Sequence, residues 1–362
     1  MKATQQLHDL GQSLWLDNIS RGLLTDGTLQ HYIDDFCITG LTSNPTIFEH
    51  AIKNADVYDD AIHAYELAGK TGDALFFELA LEDLTQAADL FRPVHAASAG
   101  VDGWVSLEVS PLLADDTTGT IQAAVQLHAR AQRHNLFIKI PGTRAGIPAI
   151  EETIFAGVPV NVTLLFSREH YIAAADAYMR GIERRIAAGL DPNVACVASL
   201  FISRWDVAVQ DKIPQALRNR LGIAIAMRTY KAYCDLLVES RWQKLAEAGA
   251  RPQRLLWAST GTKDPAASDI LYINALAAPG TINTMPEKTL LAFADHGVAN
   301  HTLPHDSGDA EVILAEFAQS GIDDVTLAAQ LQREGVQSFA NSWRDLLDCI
   351  EAKSAVLTQT HT

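Results

Sequence analysis

Basic residues are scarce in this chain. Its 362 residues include 28 Lys and Arg against 44 Asp and Glu, a formal net charge of −16. Such a field repels nucleic acid and anionic membranes, so neither is expected as a partner, and an anionic substrate would need a local basic pocket. Cysteine is also sparse. Cys37, Cys196, Cys234 and Cys349 are scattered without C-x-x-C spacing, which speaks against a zinc site or a disulfide framework. They read as reduced, mostly buried thiols of a cytosolic protein. No apolar run approaches the roughly 18 residues of a membrane span. The opening residues, Met1 to Leu10, show no secretory pattern. A soluble, cytoplasmic protein is expected. There is no low-complexity linker and no repeat of about 20 to 50 residues.

What the chain does have is 48% hydrophobic content and a recurring unit of short apolar strand, polar or Gly/Pro-bearing loop, and amphipathic helix. Strands are expected at Ser13–Asn18, Cys37–Ser43, Trp104–Val109, Leu136–Ile140, Val158–Leu164, Val194–Phe201, Arg254–Ser259 and Gly280–Thr284. Helical spacing marks Asp73–Phe91, Thr118–His134, Arg168–Ala188 and Pro214–Ala248. Strands alternating with helices imply parallel pairing, and eight of them close a (β/α)8 TIM barrel. An open doubly wound sheet is the alternative, but the first strand is followed by no glycine-rich phosphate turn. The long step from Asn44 to Glu108 calls for additional helices. The tail from Asp309 to Thr362 reads as helices packed on the barrel, so residues 1–362 are expected to form one barrel domain with a C-terminal helical extension.

One residue breaks the pattern. Lys139 interrupts Leu136-Phe-Ile-Lys-Ile-Pro-Gly-Thr143, which otherwise reads as a strand buried on both faces. A buried ammonium is costly, so Lys139 should find a partner or lose its proton. A neutral lysine is a nucleophile suited to forming an imine with a carbonyl. The plain alternative is a lysine near a strand end whose head reaches solvent.

Neighbouring strand ends decide between the two. A barrel turns its carboxyl strand ends toward one cavity, and this chain places polar groups at each of them. Asp17 and Asn18 end the first strand, and Thr42-Ser-Asn44-Pro ends the second. Glu108 lies on the third, Asn161 and Thr163 on the fifth. Ser199 and Arg204 end the sixth, Ser259 and Lys263 the seventh, Thr284 the eighth. Asp17 has an alternative reading as an ordinary turn or cap residue, Asn44 before Pro45 as a turn former, and Asn161 and Thr163 as a mutually bonded pair. Glu108 is harder to dismiss, because it alternates with Ser106 and Ser110 on a face that must be a polar interior or solvent. The chemistry then closes. Lys139 attacks a ketone, Glu108 shuttles protons through a water held by Thr163, and Asp17 accepts a hydroxyl proton as a carbon–carbon bond breaks. Arg204 and Lys263 bind a phosphate at the barrel mouth.

These blocks resemble those of the transaldolases. The matching segments are Leu16-Asp-Asn18, Thr42-Ser-Asn-Pro45, Ser106-Leu-Glu-Val109, Ile138-Lys-Ile-Pro-Gly-Thr143, Asn161-Val-Thr-Leu-Leu-Phe166, Ser199-Leu-Phe-Ile-Ser-Arg204 and Trp257-Ala-Ser-Thr-Gly-Thr-Lys263. The resemblance implies transfer of a dihydroxyacetone unit between sugar phosphates: sedoheptulose 7-phosphate and glyceraldehyde 3-phosphate give erythrose 4-phosphate and fructose 6-phosphate. It implies a Schiff base on Lys139, acid–base work by Asp17, and water-mediated proton transfer by Glu108 and Thr163. Asn44, Asn161 and Ser199 would hold substrate hydroxyls or the intermediate, with Thr42 and Ser259 as further substrate-binding candidates. Phosphate would sit on Arg204 and the strand-seven loop, where Lys263 stands in place of an arginine common in the family. No metal and no organic cofactor is implied, and a homodimer is. The sequence stops before any second catalytic domain, so a stand-alone activity is expected. A fructose-6-phosphate aldolase on the same fold is the nearest rival, but the resemblance puts a neutral residue at the position of Glu108 there. A non-catalytic sugar-phosphate-binding barrel would have lost Lys139, Glu108 or Asp17, and none is lost.

Overall fold

The computed structural model describes residues 2–299 and 301–360. Eight parallel strands close a barrel in sequence order: β1 (Ser13–Asp17), β2 (Ile38–Thr42), β3 (Trp104–Glu108), β4 (Leu136–Pro141), β5 (Val160–Leu165), β6 (Cys196–Phe201), β7 (Arg254–Ala258) and β8 (Ile282–Met285). All eight lie where the apolar runs predict them. Alternation along each strand sends one set of side chains inward and the other toward the surrounding helices.

The inward set is layered. At the start of the strands Ser13 Oγ donates to Asp102 at 2.7 Å, and Arg254 reaches both, closing the floor with a polar plug. Above it lie Trp15, Trp104 and Phe137, with Trp104 and Phe137 stacked at 4.2 Å between centroids. Gly40 is required beside them, since a Cβ there would lie 2.6 Å from the Trp15 indole. The next level is polar: Asn161 Nδ2 donates to Ser106 Oγ at 3.2 Å and Ser199 Oγ donates to Asn161 Oδ1 at 2.7 Å. Lys139, Glu108 and Asp17 follow, two residues beyond Phe137, Ser106 and Trp15.

Two expectations about helices change. The helix expected at Asp73–Phe91 runs Gly72–Ala97, with Pro93 inside it. The proline removes one N–H, yet the helix continues for another turn that packs Val94 against the core. The single long helix expected at Pro214–Ala248 is three pieces: a 3-10 turn Gln215–Leu217, then helices Leu221–Val238 and Ser240–Glu247. Asn219 takes a left-handed conformation before the second piece, and Glu239 is extended between the second and third. The buried Asp206 carboxylate accepts the N–H groups of Leu221 and Gly222, holding the start of that second piece. Apolar periodicity runs through both breaks, which is why the sequence hides them. The long β2–β3 connection carries the additional helices expected of it, Pro45–Lys53 and Asp59–Leu67.

The final helix, Asp324–Thr360, lies across the carboxyl ends of the strands. Gln332 Nε2 donates to the carbonyls of Gly142 and Leu164, both at 3.0 Å. Thr46 Oγ1 donates to Ser342 Oγ at 2.9 Å, Trp343 Nε1 to Asp73 at 3.1 Å, and Lys353 pairs with Asp59 at 2.6 Å. Gly335 permits this approach: a Cβ there would stand 2.9 Å from Leu164 Cδ2 and 3.4 Å from Arg204 Nη1. Among the described residues no helix is long and apolar enough to cross a membrane.

Candidate active site

Parallel pairing sets the centre of the site. Glu108 is in register with Lys139 across β3 and β4, and Lys139 with Asn161 across β4 and β5. Neighbouring side chains on one face of a sheet lie close enough to touch. Lys139 Nζ forms an ion pair with Glu108 and donates to the Ser43 carbonyl at 2.8 Å. Both side chains are deeply buried, Lys139 7% and Glu108 6% exposed. Of the two outcomes expected for a buried lysine, a partner is the one found, and the plain alternative of a solvent-reaching head is excluded. The carboxylate reaches the amine directly. Burial pushes the Glu108 pKa above the ordinary glutamate value, Lys139 pulls it down, and the nearby Asp17 adds to the rise.

Asp17 ends β1 and accepts a hydrogen bond from Thr42 Oγ1 at 2.7 Å; Thr42 in turn meets Thr284 Oγ1 at 2.6 Å. Burial raises its pKa too, against the pull of Lys139, the Thr42 hydrogen bond and Lys263. Asp17 is only partly buried. Asn161 and Ser199 are joined to Ser106 rather than to Thr163. Thr163 Oγ1 is buried with no hydrogen-bond partner among the described residues. It lines a small cavity together with Glu108, Lys139, Leu164, Val336 and Phe339. Leu164 takes a left-handed backbone conformation, φ 58°, at a break in the β5–β6 register. Gln332 binds the carbonyl of that strained residue.

Asn44 carries a second duty. Its Oδ1 accepts the Ile47 N–H at 3.0 Å and caps helix Pro45–Lys53, a role beyond the turn former read from the sequence. Its Nδ2 makes no hydrogen bond among the described residues. Arg204, Ser259 and Lys263 share a groove beside the central cavity. The Arg204 guanidinium lies between the rings of Phe201 and Phe339, 5.1 and 5.7 Å from their centroids. Burial draws its pKa down and Glu334 opposes this. Ser259, at φ 56°, meets Ser203 Oγ at 2.9 Å. Lys263 is exposed at the rim.

The chain matches the family model described as transaldolase/fructose-6-phosphate aldolase over residues 14–350. It is 44% identical to a transaldolase of Parafrankia over 358 residues, covering 96% of this chain and 97% of the relative. A transaldolase of Arthrobacter is 44% identical, with 97% of each chain covered. Transaldolase 1 of Streptomyces avermitilis is 43% identical, covering 96% of this chain and 94% of the relative.

This chain belongs to the transaldolase/fructose-6-phosphate aldolase family.

Four residues at the site were not singled out from the sequence: Gln332, Glu334, Val336 and Phe339. The apolar spacing Val336, Phe339, Trp343, Leu346, Ile350 marks a helix with a buried face. It does not say which surface that face covers. Only the glycine at 335, inside a helix, hints at close approach to another element.

Proposed function

We propose that this protein transfers a dihydroxyacetone unit from a ketose phosphate donor to an aldose phosphate acceptor through a Schiff base on Lys139. Transaldolase activity is supported by the family match and by relatives bearing that name along nearly their whole length. The observation that carries the chemistry is a buried amine in contact with a carboxylate, both lining a small cavity walled mostly by apolar side chains.

Transfer of a proton from Lys139 to Glu108 within the pair yields a neutral amine and a neutral acid, with no net charge moved into the barrel. The amine attacks the donor ketone. Loss of water from the carbinolamine needs a proton, which Glu108 now holds, and the unpartnered Thr163 hydroxyl is placed to bind that water. The resulting iminium draws electrons from the bond between the α and β carbons. Asp17 takes the β-hydroxyl proton as that bond breaks, and an aldehyde leaves. The retained enamine adds to the acceptor aldehyde by the reverse steps. Thr42 fixes the Asp17 carboxylate, while Asn161, Ser199 and the free amide of Asn44 offer hydrogen bonds to substrate hydroxyls. We place the phosphate on Arg204, with Ser259 and Lys263 beside it. The substrates and the four isolated cysteines fit a cytoplasmic enzyme, and a homodimer is its expected assembly.

Borohydride reduction in the presence of fructose 6-phosphate, followed by peptide mapping, tests the reading. The expected adduct is on Lys139; an adduct on another lysine, or none, refutes it. Glu108 favours transfer over simple cleavage. Turnover of fructose 6-phosphate is therefore expected to depend on an added aldose acceptor, and release of free dihydroxyacetone at a similar rate without one would assign the aldolase reaction instead.

Arg204→Ala is expected to raise KM for phosphorylated donors by roughly ten- to a hundredfold, the worth of a charge-assisted hydrogen bond. KM for dihydroxyacetone should barely change; an equal rise for both would remove phosphate from this groove. Glu334 is a negative charge at the same groove. Glu334→Gln should lower KM for phosphorylated donors by about threefold, as expected for an exposed charge, and leave kcat alone.

A further inference from the structure

The opposite end of the barrel, where the strands begin, holds a second cavity that the chemistry above leaves unused. It is open to solvent on one side and has a volume of about 400 Å3. Four basic groups line it: His95 near the end of helix Gly72–Ala97, His128 in the last turn of helix Thr117–Ala131, His134 in the loop to β4, and Arg251 before β7. No carboxylate lines it, in a chain with 44 of them. The acids nearest in sequence are engaged. Asp89 is held by Arg133 at 2.9 and 2.8 Å, Asp102 by Ser13 at 2.7 Å, and Asp191 accepts the Asn193 N–H at 2.9 Å. A further guanidinium, Arg185, lies behind Gly157 and donates to the carbonyls of Phe155 and Asp191.

Basic side chains at this end have an ordinary use, since the helices present their carbonyl ends here. Arg251 is used in that way: it donates to the Ala99 carbonyl and to Asn193 Oδ1, both at 2.6 Å. The imidazoles are not. None of the three rings makes a hydrogen bond among the described residues, and His128 Nε2 is buried without a partner. His95 only rests edge-on against Trp104, at 5.0 Å. Nor do they form a metal set: among the described residues no three such groups converge to hold an ion. Spread donors around one roomy cavity suit an oxyanion, which accepts hydrogen bonds from several directions.

We propose that this cavity binds a small phosphate-type dianion, with Arg251 as the fixed charge and His95, His128 and His134 as hydrogen-bond donors. In the empty cavity burial lowers the pKa of His95, aided by Arg251 and His134, and burial lowers that of His128, aided by His134. A bound dianion reverses the balance, because each imidazolium gains an opposite charge. Binding therefore takes up protons, and affinity rises as pH falls through the imidazole range.

Sulfate is the probe for this linkage, because its own charge is constant over that range; inorganic phosphate is the second probe. Each is titrated into the full-length wild-type protein while the histidine ring signals are followed by NMR, assigned from single His→Gln variants. The central cavity and the Arg204 groove contain no histidine, so these signals report the second cavity alone. Sulfate is expected to shift the His95, His128 and His134 signals together, and to bind about tenfold tighter near pH 6 than near pH 8. Arg251→Ala should weaken binding by about tenfold and leave transfer activity in sulfate-free buffer unchanged. Three signals unmoved by millimolar sulfate, equal affinity at both pH values, or wild-type affinity in folded Arg251→Ala would each overturn the proposal.

Discussion

Lys139→Met abolishes transfer, by roughly four orders of magnitude or more, as loss of a covalent nucleophile does. Borohydride then captures no sugar adduct. The barrel survives, because methionine fills much of the lysine's volume, but its stability gains a pH dependence. In the wild type burial raises the Glu108 pKa and Lys139 partly offsets that rise. Without it, burial and Asp17 remain and both raise the Glu108 pKa further. A carboxyl whose folded pKa lies above its unfolded value costs stability as pH rises through the window between the two, since the unfolded chain releases the proton more readily. The variant should therefore lose ground to the wild type in urea titrations as pH is raised from about 4 toward 7. Below that window Glu108 is protonated in both states and the difference between the two proteins should stop changing with pH. A variant that keeps measurable transfer removes the Schiff base from Lys139. One that unfolds at every pH makes the lysine a structural residue.

How much of this was legible follows from which interactions are local. The barrel announced itself because every strand is a short apolar run flanked by loops, and that signal needs no knowledge of distant residues. Lys139 stood out for the same reason: one charge inside Leu136–Ile140 violates the pattern of a doubly buried strand. Glu108 was readable from alternation with Ser106, but its direct contact with Lys139 was not. That contact depends on the β3–β4 register, which no single strand carries. The Asn161–Ser199–Ser106 chain of hydrogen bonds was hidden likewise, and Thr163 was left as the unpaired hydroxyl instead of a partner for Asn161. The C-terminal helix shows the limit most plainly. Its apolar stripe predicts burial against something, while its placement over Gly142, Leu164 and Arg204 comes only from the folded chain.

Glu108→Gln separates the role of the carboxylate from that of the cavity. Glutamine keeps the shape and can still accept one hydrogen bond from Lys139, so the fold should be little affected. What it cannot do is take the ammonium proton. Transfer is expected to fall by about 10²- to 10⁴-fold, the usual worth of a positioned proton acceptor. The pH profile distinguishes this from a mere loss of packing. In the wild type the pair exchanges its proton internally, so the rate is level until Glu108 takes a second proton from solution. That acid limb should lie above the ordinary glutamate value, because burial raises the Glu108 pKa. In the variant that limb disappears, because no carboxyl remains at this position to take up a proton. Borohydride trapping at long incubation should still mark Lys139, because the nucleophile remains. Wild-type turnover in the variant, or an unchanged acid limb, would mean that another group moves the proton, and Asp17, which approaches Lys139 from β1, would be the carboxylate left to do it.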